Sequence, residues 1–66
     1  MNEKLKSIRK SKNLSQKIVA NNLGITLSAY SNYEQGIREP SISMIIKICK
    51  FFNVSADYLL GLVDYE

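Results

Sequence analysis

Residues 14–36 read LSQKIVANNLGITLSAYSNYEQG. Twice in this stretch an apolar residue precedes a hydroxyl residue, and a second apolar residue follows four places after the hydroxyl: Leu14-Ser15 with Val19, then Ile25-Thr26 with Tyr30. Each is the signature of a helix start. The hydroxyl accepts a bond from an orphan backbone N–H, while the apolar pair fixes the angle at which the chain enters the helix. Gly24 and Gly36 stand where each helix must stop, as residues that tolerate the left-handed backbone just past a helix end. The stretch predicts two short helices joined by a tight turn.

Outward from it the same grammar recurs. Val54-Ser55 with Leu59 opens another helix, Pro40-Ser41 opens one less regularly, and Asn2 is placed to cap the first; Asn13, Asn53 and Gly61 supply further stops. β-branched residues alternate with polar ones over no stretch of six, so strands are not expected. The predicted fold is all-α, with five helices near residues 2–12, 16–23, 27–35, 42–52 and 56–60, in one domain spanning residues 1–66. The fourth carries Ile42, Met44, Ile45, Ile48, Cys49, Phe51 and Phe52, an arc expected to form core.

Composition narrows the function. Of 66 residues, 45% are apolar and 23% charged, ordinary values for a folded domain. There is no histidine and a single cysteine, Cys49. Neither an internal disulfide nor a typical zinc site is expected, and the Ser-His and Cys-His pairs that activate nucleophiles are missing. We therefore expect a protein that is not an enzyme and has no cofactor, metal or evident small-molecule ligand. No apolar run of 18 residues and no export leader are recognisable, so no membrane partner and a cytoplasmic location are expected. The net charge of +3 hides a gradient: the first 17 residues carry six cations against Glu3, and the remainder is net negative. One pole suits a polyanion.

On a helical wheel of about 100° per residue, Ala29, Tyr30, Tyr33 and Glu34 share one side of the third helix, whereas Ser28, Ser31, Asn32 and Gln35 fall between about 40° and 140° from Leu27 on the other. Ser and Asn are poor helix formers, so a face built of them calls for a reason beyond solubility. Small amides and hydroxyls suit base edges in the DNA major groove. Leu27, at the rim, suits either a thymine methyl or packing beside Ile25. Glu34, turned towards the apolar side, needs a cation, and Arg9 at the border of the first helix's inward stripe is the candidate for a structural ion pair.

These residues closely resemble the helix-turn-helix of the Xre family of phage lambda Cro and C1 repressor-like regulators. The resemblance continues through Arg38-Glu39-Pro40-Ser41 and Val54-Ser55-Ala56-Asp57-Tyr58-Leu59-Leu60, and so covers essentially the whole chain. It implies a compact five-helix lambda-repressor-like DNA-binding domain. Its second helix would cross the phosphate backbone and its third would lie in the major groove of double-stranded DNA. Thr26, Leu27, Ser28, Ser31 and Asn32 would face bases; Gln16, Lys17, Gln35 and Arg38 would hold phosphates; Arg9 and Glu34 match a pair common in the family. The implied function is sequence-specific transcriptional regulation, as a repressor.

The apolar ending suggests a homodimer through Leu59, Leu60, Leu62 and Val63, with half-sites roughly 34–36 Å apart. Ile18 departs from the family pattern, and with Ile37 and Ile46 it is expected to be exposed. That leaves open an alternative class: an antitoxin or other interaction module that binds a toxin-like protein partner. The C-terminal acids Asp57, Asp64 and Glu66 have no companion residues for metal binding or acid–base work.

Overall fold

The structure, a computed structural model, describes residues 1–65; Glu66 lies outside them. Five α-helices follow one another: α1 Asn2–Ser11, α2 Gln16–Leu23, α3 Leu27–Gln35, α4 Ile42–Phe52 and α5 Ala56–Leu59. There is no strand among the described residues.

The local grammar operates at both ends of the helices. Ser15, Thr26, Ser41 and Ser55 sit at the N-caps of α2 to α5 with extended backbones, and each side-chain oxygen accepts the N–H three residues on. Asn13, Gly24, Gly36, Asn53 and Gly61 all have positive φ, between 57° and 82°. Beyond each of them a backbone N–H returns to a carbonyl five residues earlier, as in Ile25 to Ala20 at 3.1 Å and Val54 to Cys49 at 3.0 Å. Helix-end carbonyls are thereby satisfied without tertiary help.

The start of α1 is different. Asn2 lies inside the helix, the N-cap is Met1, and no side chain caps it. The Asn2 amide instead lies against Gly36, where an added Cβ would come within 3.2 Å of it. α1 ends one residue earlier than expected, at Ser11, and α5 stops at Leu59.

The core comprises Leu5, Ile8, Val19, Ala20, Leu23, Tyr30, Ile48, Phe52, Val54 and Leu59, drawn from all five helices and the α4–α5 turn. α3 packs against α1 and α2, and α4 bridges α2 and α5. Ala20 is buried where α2 faces its neighbours, and a small side chain there permits close approach. Ile42 departs from its expected core position and is 79% exposed. It lies about 120° around the wheel from the buried Ile48 and in the first turn of α4, beyond the reach of the other helices. Lys47 Nζ donates to the carbonyl of Leu23 at 2.9 Å, tying α4 to the end of α2.

Gly24 holds the turn of the helix-turn-helix at φ 74°, and an added Cβ would meet only Lys47 Nζ at 4.0 Å. The restriction is therefore conformational rather than steric. Gly24→Ala is expected to destabilise the domain by about 1–2 kcal/mol in a urea titration. No measurable change would mean that the turn can adopt another backbone shape.

Candidate nucleic-acid interface

The polar face of α3 is open to solvent. Ser28 and Gln35 are exposed, and Ser31 and Asn32 are half-buried. Thr26 is exposed, and its hydroxyl oxygen accepts the Ala29 N–H at 3.1 Å, a bond that does not use its own O–H. Leu27 is 49% exposed at the rim of this face, while Ile25 packs partly against the core. Gln35 Nε2 donates to Ser31 Oγ at 2.7 Å. The opposite side of α3 buries Tyr30 and Glu34, so the helix is held from behind.

Glu34 is the hub of that attachment. Arg9 Nε lies 2.6 Å from Glu34 Oε2 and Arg9 Nη2 3.1 Å from Oε1, a bidentate pair. The side chains are 11% and 1% exposed. Arg9 Nη1 also donates to the Leu14 carbonyl at 2.7 Å, next to the α2 N-cap. Burial alone would push the Glu34 carboxyl up; the Arg9 guanidinium outweighs it, with Tyr30 and Gln16 contributing, and the pKa falls below the ordinary range. Bonding to Glu34 holds Arg9 charged. The Tyr30 hydroxyl, buried beside them, makes no hydrogen bond of good geometry. Burial, reinforced by the neighbouring carboxylate, pushes its ionisation up.

Sequence reasoning missed the place of Gln16 in this cluster. Its Nε2 donates to Glu34 Oε1 at 3.1 Å, so the first residue of α2 is anchored to the end of α3. No local pattern signals a contact spanning 18 residues of chain. Lys17 and Arg38 are exposed, the first on α2 and the second in the loop after α3. Of the N-terminal cations, Arg9 is held by Glu34, and Lys4 lies over the Tyr58 ring, 4.5 Å from its centroid. Both are drawn towards the protein rather than presented as a free basic patch.

At the C-terminal end, Leu59 is fully buried and cannot serve a partner. As the fourth residue after the Ser55 cap, it is the side chain that docks the short α5 onto the core, and this removes it from the expected dimer surface. Leu60 and Leu62 are 45% and 72% exposed, and Val63 is half-buried. Ile18, Ile37 and Ile46 are exposed.

A helix-turn-helix family model, HTH_3, matches residues 5–59. The chain belongs to the HTH_3 family. Among its relatives, an uncharacterised HTH-type transcriptional regulator of Bacillus subtilis, YqaE, is 50% identical over 88% of the chain and half of its own length. The HTH-type transcriptional regulator AnsR of the same organism is 39% identical over 89% of the chain and 51% of its own length. The restriction-modification controller protein C.AhdI of Aeromonas hydrophila superposes with a TM-score of 0.82 at 28% identity, over 88% of each chain. The chain spans about half the length of the curated relatives it matches. With this family, the compact all-α fold is that of a lambda-repressor-like domain, with α2 and α3 as its helix-turn-helix. No helix among the described residues is long and apolar enough to cross a membrane.

Proposed function

We propose that this chain is a sequence-specific DNA-binding transcriptional regulator that acts as a repressor in the cytoplasm, with α3 in the major groove of double-stranded DNA. The observation that carries the reading is the division of α3: uncharged hydroxyl and amide side chains towards solvent, Tyr30 and Glu34 buried behind them. Ser28, Ser31 and Asn32 face base edges, with Thr26 and Leu27 at the rim of the same surface. Asn32 suits a bidentate contact with adenine, and Leu27 a thymine methyl. Arg38 and Lys17 hold phosphates. Gln16 keeps one amide N–H and its carbonyl free of Glu34, and the backbone N–H at the start of α2 adds a donor for the same phosphate.

The chain acts as a homodimer. A single short recognition helix offers few base contacts, and the exposed Leu60 and Leu62 with Val63 provide an apolar surface for a twofold partner. Enrichment of bound duplexes from a random pool tests both halves of this reading. The expected product is an inverted repeat with half-sites one helical turn apart. Enrichment of no motif would reject sequence-specific binding, and a single unrepeated half-site would reject the dimer.

A further inference from the structure

The family resemblance implies that Gln35 belongs to the segment that grips the DNA backbone beyond α3, whereas its amide donates to Ser31 Oγ on the polar face of the helix. Gln35 lies at about 80° on the wheel of α3, between Ser31 at about 40° and Ser28 at about 100°, in the middle of the polar arc. Side chains on a helix lean towards its N-terminus, so a residue in the last turn covers the surface of the turn before it. The 2.7 Å bond to Ser31 Oγ shows Gln35 doing this. We propose that Gln35 reads a base edge together with Ser31, as one hydrogen-bonded unit, instead of contacting the phosphate backbone.

The donor and acceptor inventory supports the assignment. A primary amide has two N–H groups, one of them alongside its carbonyl. With the N–H that points away from the carbonyl given to Ser31, the carbonyl and the N–H alongside it form the acceptor–donor pair that matches N6 and N7 of adenine. Ser31 Oγ accepts from Gln35 and keeps its own O–H for an acceptor on the same or the neighbouring base pair, such as O4 of thymine or N7 of a purine. Holding the amide in place before DNA arrives lowers the ordering penalty of binding. A phosphate contact needs no such arrangement, and Arg38, three residues on and exposed, is better suited to one.

This inference rests on the DNA-binding reading, and the test separates the two. Wild type, Gln35→Ala, Ser31→Ala and Gln35→Glu are each used as the full chain to select sites from a random duplex pool, and their affinities are then measured on the wild-type site and on random DNA. Gln35 is exposed at the end of its helix, so the variants should keep the helical circular dichroism of wild type. Gln35→Ala is expected to lose roughly 5- to 150-fold on the selected site, to bind random DNA within about twofold of wild type, and to relax preference at one base pair. Ser31→Ala should relax preference at that pair or its neighbour. Gln35→Glu should shift the preference there towards a base pair offering cytosine N4, since a carboxylate only accepts. Equal weakening by Gln35→Ala on both DNAs, with a salt slope shallower by about one, identifies a phosphate contact and overturns the inference alone. A pool in which wild type itself enriches no motif overturns the DNA-binding reading and this inference with it.

Discussion

An Arg9→Ala variant is expected to lose about 3–5 kcal/mol of folding stability, because the change strands a carboxylate that is 1% exposed and leaves the Leu14 carbonyl without its donor. At about 0.05–0.15 kcal/mol per residue, a domain of this size holds about 3–10 kcal/mol in total, so the variant should be partly unfolded at room temperature. A urea titration measures the loss, and a value below about 1 kcal/mol would mean that water reaches the carboxylate. Replacing both partners, as in Arg9→Met with Glu34→Leu, should recover most of it, since the penalty comes from the unpaired charge rather than from any large net gain in the pair.

The acid sensitivity should differ between the two proteins. In the wild type, Glu34 has a lower pKa folded than unfolded, so its contribution is complete above the unfolded value of about 4.3 and is lost as pH falls through the folded one. In Arg9→Ala the Tyr30 and Gln16 interactions alone are left to oppose burial, so the folded pKa of the carboxyl rises relative to wild type. That variant should therefore lose less stability than wild type as pH falls through the carboxylate range, because the proton removes the stranded charge.

The second large effect concerns recognition. Asn32→Ala is expected to weaken binding to the specific site by roughly 1–3 kcal/mol while scarcely changing affinity for random DNA. Among the described residues no hydrogen bond engages the Asn32 side chain, while its backbone carbonyl accepts the N–H groups of Ile37 and Arg38 at the end of α3. The loss should therefore come without a change in melting temperature. Arg38→Ala should weaken both DNAs and reduce the salt slope by about one, as the loss of a single phosphate contact requires. Should Asn32→Ala weaken both DNAs equally, Asn32 would not be a base reader.

The signals that decide the fold are local, and so they can be read from sequence. A Ser or Thr with an apolar residue four places on requires no knowledge of the rest of the chain, and an Asn or Gly after an apolar run is sufficient to end a helix. The division of α3 follows from a periodicity within nine residues. Glu34 is legible for a different reason: a carboxylate on an apolar face must have a cation, and Arg9 borders the inward stripe of α1. What escapes is set by neighbours distant in sequence. Asn2 has the composition of a cap, yet it is absorbed into α1 and faces Gly36. Ile42 has the composition of a core residue, yet at the N-terminal end of α4 nothing reaches over to cover it. Leu59 and Leu60 are adjacent and identical, and only the docking of α5 decides that the first is fully buried and the second 45% exposed. Gln16 is of the same kind, since its bond to Glu34 depends on how α2 meets α3.

The hydrophobic interior takes nothing from the outward side chains of α3: Ser28, Ser31, Asn32 and Gln35 are all absent from it. On the proposed reading, assembly and address are written in different letters of the same helix. On that reading, a new set of four residues at these positions would redirect the molecule to another operator while leaving the packed core in place.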